Sequence, residues 1–136
     1  MSQNVEAIRE THQAYLRQDV EAMLGHLDEQ IVWKVPDTLP WGGTYTSRED
    51  VAGFFALLLE YFDQYELHPQ ELLAAADRVV DIGVLRGRGK LNGEPFEIRY
   101  CMIWKMRDGK AVEMEEFSDT AALVIAAQAE ATSSSG

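Results

Sequence analysis

Two dipeptides, Asn92-Gly93 and Asp108-Gly109, most constrain what this chain can fold into. Each pair favours the left-handed backbone of a tight hairpin, and each lies between runs with strand periodicity. The flanking runs are Arg78–Leu91, Pro95–Arg107 and Lys110–Ser118, and Glu66–Ala75 precedes them behind a further turn at Ala74–Asp77. Strands joined this tightly pair antiparallel, so the second half reads as a meander. A meander this long needs a cover for one face, and only the first half supplies helices.

Val5, Ile8, His12, Tyr15 and Leu16 recur at helical spacing over residues 3–17. Asp19 caps a short second helix carrying Val20, Met23, Leu24 and Leu27. Ile31–Val35 reads as a strand with Ile31, Trp33 and Val35 on the inner face, and residues 36–45 read as a loop. Ser47-Arg-Glu-Asp50 resembles a capping box. It opens the main helix, over residues 48–63, with a stripe of Val51, Phe54, Phe55, Leu58, Leu59 and Phe62. Asp119 caps a last helix from Thr120 to about Gln128, and 129–136 reads as a polar, disordered tail. The expected fold is α+β: one domain over 1–128, with N-terminal helices in the concave face of a curved antiparallel sheet around a cone-shaped pocket.

Alternation decides which side chains line that pocket. In Pro95–Arg107 the even set, including Tyr100, Met102 and Trp104, is wholly apolar or aromatic and faces inward. In Lys110–Ser118 the even set Val112, Met114, Glu116 and Ser118 is placed inward. In Arg78–Leu91 the even set carries more apolar bulk and no acid, which directs Arg86 and Arg88 inward and Asp81 outward. The expected lining is Tyr15, Trp33, Trp41, Phe54, Leu58, Arg86, Tyr100, Met102, Trp104 and Met114, with Glu116, Arg88 and His12 as the catalytic candidates. A lone carboxylate in an apolar pocket is raised by desolvation and suits acid/base work, whereas an adjacent guanidinium holds it ionised as an ion pair. Both readings of Glu116 stand at this stage. His12 likewise reads either as a proton shuttle or as a packed helix residue with one hydrogen bond.

Charge narrows the partners. The chain has 23 acids and 12 bases, a net −11, which argues against nucleic acid and anionic membranes. Residues 78–110 hold eight of the bases and four acids, a local +4 that marks where an anionic ligand group is expected. No His, Asp or Glu spacing resembles a metal site, and no phosphate loop is present, so no cofactor is expected. Cys101 is the only cysteine and sits in an apolar strand, which reads as a buried, inert thiol. With no signal-like opening and no apolar run of membrane-spanning length, the expected location is the cytoplasm.

Several segments carry a family resemblance: Tyr-Leu-Arg-Gln-Asp-Val20, Val32-Trp33, Gly42-Gly-Thr-Tyr-Thr-Ser-Arg-Glu-Asp-Val-Ala-Gly-Phe-Phe55, Ile103-Trp-Lys-Met-Arg-Asp-Gly-Lys110 and Glu116-Phe-Ser-Asp-Thr120. Together they resemble the SnoaL-like branch of the nuclear transport factor 2-like superfamily over roughly residues 3–127. The resemblance implies the cone fold and a homodimer through the outer sheet face, with Gly83, Leu85 and Phe117 as interface candidates. Ketosteroid isomerases of the superfamily use a tyrosine and two aspartates where this chain has Thr11, Val35 and Met102. Limonene epoxide hydrolase matches at Arg88 and Glu116 but departs at Trp33, Val35 and Lys90. The acid/base carboxylate of SnoaL-type polyketide cyclases falls near Met102, which is apolar here. The functional expectation is a cofactor-independent acid/base enzyme, of isomerase, cyclase or hydratase type, for a small apolar or cyclic substrate. The alternative is a non-catalytic binder of a small lipophilic or carboxylated ligand.

Overall fold

A computed structural model describes residues 2–127. The proposed tail at 129–136 and the last residue of the final helix lie outside them.

The elements run α1 (Gln3–Leu16), α2 (Val20–Gly25), β1 (Leu27–Val35), β2 (Gly43–Tyr45), α3 (Arg48–Leu58), β3 (Phe62–Ala75), β4 (Arg78–Gly89), β5 (Pro95–Arg107), β6 (Lys110–Ser118) and α4 (Thr120–Ala127). The helix starts are those the caps dictate. Ser2 accepts from the Val5 amide at 3.2 Å, Asp19 from Ala22 at 3.0 Å and Ser47 from Asp50 at 3.0 Å. Gln18, at φ 64°, reverses the chain between α1 and α2. α3 ends earlier than its apolar stripe suggests, so Phe62 opens β3 instead of closing the helix.

Six strands form one curved, open sheet in the order β2-β1-β6-β5-β4-β3. The meander β3–β6 is antiparallel, as the turns require, and Asp108 (φ 52°) with Gly109 (φ 78°) closes the last hairpin in left-handed backbone. One pairing differs from an all-antiparallel sheet: β1 lies parallel to β6, with Trp33 opposite Met114. The sheet is therefore mixed. The short strand β2 forms inside the expected loop and pairs with the end of β1.

Helices α1 and α3 cover the concave face. Ile8, Val51, Phe54 and Leu58 meet Ile31, Trp33, Trp104 and Met114 in a single core. The aromatic stripe of α3 is used edge to face, with Phe54 and Phe55 5.0 Å apart and Trp33 at 5.8 Å from Phe55 and 5.7 Å from Trp104.

The facing of β4 is the reverse of the expectation. Val79, Asp81, Gly83, Leu85, Gly87 and Gly89 point inward and are buried, whereas Arg86 and Arg88 are exposed on the outer face. Register explains it: Asp81 pairs with Met102, Gly83 with Tyr100 and Leu85 with Ile98, so odd residues of β4 share a face with even residues of β5. The inward glycines leave room for β5 rings. A Cβ on Gly83 would lie 2.8 Å from the Tyr100 hydroxyl and 2.3 Å from the His68 carbonyl oxygen; one on Gly87 would lie 2.7 Å from the Phe96 ring. In β6 a bulge leaves Val112 without a register partner, between Ala111 opposite Met106 and Glu113 opposite Lys105. Ala111, not Val112, is therefore inward, followed by Met114 and Glu116.

Gly83→Ala is expected to lower unfolding stability by about 1–3 kcal/mol in urea denaturation, because the clash is with strand backbone and a buried hydroxyl. Gly25→Ala, where nothing lies within 4 Å of the added carbon, is the matched control and should not destabilise the protein.

Candidate functional site

Two carboxylates enter the interior from one row of the sheet. Asp81 on β4 and Glu116 on β6 both pair with Met102 on β5. Strand spacing therefore separates their Cα atoms by about 10 Å. They are 0% and 5% exposed, yet their environments differ.

Asp81 is fully partnered. Its Oδ1 accepts from the Tyr100 hydroxyl at 3.0 Å, and its Oδ2 accepts from Trp104 Nε1 at 3.0 Å and lies 2.5 Å from His12 Nε2. Three side chains thus converge on one carboxylate, and one of them fastens α1 to the sheet. The arrangement settles how His12 sits: its Nε2 side is held by Asp81, with the Trp104 ring 6.2 Å away edge to face. Burial and the Asp81 charge together raise the Tyr100 phenol well above its ordinary value.

Among the described residues Glu116 has one side-chain hydrogen bond, accepted by Oε2 from the Ser118 hydroxyl at 3.0 Å. Burial lifts its carboxyl from an ordinary 4.5 to about 7, with the Ser118 bond acting weakly in the opposite direction. Arg86 and Arg88 do not neutralise it. Arg86 Nε donates to Glu97 at 2.7 Å on the outer face, and Arg88 donates to the Gly93 carbonyl at 3.1 Å. The expected inward guanidinium pair, and with it an anion site there, is overturned.

The remaining expected lining residues divide. Trp33, Trp41, Phe54, Leu58, Tyr100, Met102, Trp104 and Met114 are all buried, but they fill the cone with side chains. Trp33 Nε1 and Trp41 Nε1 are buried without a hydrogen-bond partner among the described residues. Open space lies at the mouth. A cavity of about 510 Å³ is bounded by Tyr15, Phe55, Leu58 and Tyr65, with Leu16, Val20 and Leu59 at its rim. Tyr15 and Leu58 are the two expected lining residues it retains. Glu116 does not line it but borders a hollow of about 320 Å³ under the Pro36–Gly43 turn. Tyr65 was missed by sequence reasoning. It is 6% exposed, walls the cavity, and its carbonyl accepts from the Tyr15 hydroxyl at 2.6 Å. The Glu116 charge adds to burial in raising its phenol well above the ordinary value.

Cys101 lies half-buried on the outer face, not in the interior. Among the described residues no three His, Cys, Asp or Glu side chains gather as a metal site requires, and no helix is long and apolar enough to cross a membrane.

Residues 8–114 match the model of the SnoaL-like domain. The chain belongs to the SnoaL-like family. Solved structures agree. A nuclear transport factor 2-like protein of unknown function from Burkholderia pseudomallei has a TM-score of 0.87 and 27% identity, covering 93% of this chain and 98% of that one. TerC, co-crystallized with polyporic acid, has a TM-score of 0.87 and 28% identity, covering 93% and 99%. A protein with a ketosteroid isomerase-like fold from Catenulispora acidiphila, in complex with trimethylamine, has a TM-score of 0.79 at 15% identity, covering 90% and 92%, and shows the fold alone. No curated protein matches the chain.

Removing Asp81 leaves three buried donors facing each other. Asp81→Ala is expected to cost about 3–5 kcal/mol in denaturant unfolding. Arg88→Ala, on the exposed face, should stay within about 0.5 kcal/mol of the parent.

Proposed function

We propose that this protein is a cofactor-independent acid/base enzyme of the isomerase, cyclase or hydratase type, with Glu116 as its proton-transfer group. One observation carries the reading. Glu116 is a buried carboxyl with no cationic partner among the described residues, and desolvation moves it to about 7, where both protonation states are populated at neutral pH. Family membership supports an isomerase- or cyclase-type fold. The substrate class proposed is a small apolar or cyclic compound, which fits the aromatic and aliphatic walls of the cavity. That TerC was co-crystallized with polyporic acid supports a small organic ligand for this fold.

In this reading Asp81 and His12 play a different part from Glu116. Asp81 is held by Tyr100, Trp104 and His12 and orients His12, so the interior holds one carboxyl fixed from three sides and, in Glu116, one bonded only to Ser118 among the described residues. Arg88 and Arg86 have no role in it. A second reading, a non-catalytic binder, is favoured by one fact: the large cavity is walled without Glu116. The homodimer is also retained as a proposal. Leu73 and Phe117 are exposed on the outer sheet face beside half-buried Val80, Ile82 and Ile103, which suits a partner surface. Gly83 and Leu85 leave that list because they point inward. The lone Cys101 fits a reducing compartment such as the cytoplasm.

Carboxyl NMR of glutamate-labelled protein tests the enzyme reading. Glu116 should titrate near 7, and a value near 4.5 would sink it. The linkage has a definite sign. A folded value above the unfolded one means the group's contribution is complete below about 4.5 and is lost as pH rises through about 7. Glu116→Gln should therefore be more stable than the parent at pH 8, by up to about 3 kcal/mol, and the gap should close in acid.

A further inference from the structure

We infer that Tyr65 is the substrate-binding residue of the open cavity, donating its hydroxyl to an uncharged carbonyl or hydroxyl oxygen on a cyclic ligand. The inference rests on the preceding one, since it takes the cavity to be where the substrate of Glu116 enters.

Geometry carries it. Tyr65 is an inward residue of β3, opposite Gly87, where the absence of a side chain admits the Phe96 ring. Its ring packs on Phe62 at 5.2 Å and is 6% exposed, yet the residue walls the 510 Å³ cavity. Its backbone is pinned by the Tyr15 hydroxyl at 2.6 Å, so the ring is held in place. Among the described residues its own hydroxyl has no hydrogen-bond partner. A phenol that burial and the Glu116 charge keep neutral is a hydrogen-bond donor throughout the working pH range.

The polar inventory fixes the ligand class. The residues around the cavity include Asp63, Glu66, Gln18 and Gln64 and no Lys, Arg or His. Bases on adjoining segments are engaged elsewhere: Arg17 lies 3.9 Å from Asp19, Lys90 donates to the Leu59 carbonyl at 2.8 Å, Arg86 holds Glu97, and Arg88, opposite Gln64, donates to the Gly93 carbonyl. A carboxylate entering here would meet acids and no cation, in a chain of net −11. An uncharged oxygen needs only a donor, and Tyr65 supplies it. Leu16, Val20 and Leu59, 37%, 39% and 59% exposed, then receive the apolar remainder of the ligand at the rim.

Acetylnaphthalene and naphthoate share a ring system and differ in charge. Calorimetry and thermal shift with both, and with polyporic acid as a second anionic probe, test the inference on the full chain. The ketone should bind at least about tenfold tighter than either acid. Tyr65→Phe, which keeps the ring, should weaken the ketone by about 3- to 10-fold and leave the melting temperature of the free protein nearly unchanged. Phe55→Ala should weaken all three. An acid binding as tightly as the ketone, or Tyr65→Phe leaving ketone affinity unchanged, overturns the assignment of Tyr65. Failure of all three to bind overturns the cavity as the site. Neither result alters the Glu116 titration, which judges the enzyme reading separately.

Discussion

Cross-strand register along β5 is the constraint on which the rest of this structure depends. Tyr100, Met102 and Trp104 alternate with residues on the outer face, and each hydrogen-bonded neighbour must adopt the facing they impose. Met102 brings Asp81 and Glu116 into one inward row, while Tyr100 and Trp104, on either side of it, reach back to Asp81. That carboxylate in turn receives His12 and docks α1. The helix that closes the cone and the two buried carboxyls are therefore placed by the same pairing. A one-residue slip would expose Asp81 and bury Arg86.

This explains which parts of the fold were legible beforehand. The helix caps, the two Gly-containing hairpins and the apolar row of β5 are local signals, and they specify most elements and the α+β class. The β4 facing was also legible, though by a different rule from the one applied. The two-residue turn that Asn92-Gly93 suggests would pair odd residues of β4 with even residues of β5; the structure closes the hairpin through the longer connection 90–93, with Gly89 bonded to Glu94, and keeps the same parity. Counting apolar side chains misleads there because the inward positions are glycines shaped to β5 rings and an aspartate satisfied from three sides. The next hairpin behaves oppositely. The turn at Asp108-Gly109 alone would set even β5 against odd β6, and the bulge at Val112 restores even against even. Burial of Glu116 instead of Phe117 depends on that one extra residue, which no local pattern in the sequence announces.

The parallel pairing of β1 with β6 lies outside sequence reasoning for the same kind of reason. It joins residues some eighty positions apart, with Trp33 beside Met114, and no turn chemistry records it. Its consequence is direct. Trp33 enters the space between the helices and the Asp81 cluster and, with Phe54, Phe55 and Trp104, fills what the bare topology would leave as a deep pocket. The free volume moves out to the mouth, where α1, α3 and the start of β3 meet. Tyr65 matters because it stands at that boundary.

The fate of the basic stretch follows from the chemistry of the groups themselves. A guanidinium keeps its charge at any working pH, so directing it into an aromatic interior incurs the full cost of desolvation. A carboxyl in the same place can take up a proton and shed its charge. The fold keeps the interior acidic and the outer face basic. Arg86 meets Glu97 at 2.7 Å and Lys34 meets Glu113 at 2.9 Å in water, while Asp81 and Glu116 stay inside. Of those two, Asp81 retains its place through donors that suit a carboxylate. Glu116 has only Ser118, and its answer to burial is to hold its proton until the pH approaches 7. Attraction of charge, to which the local +4 of the sequence had pointed, takes place on the outer face.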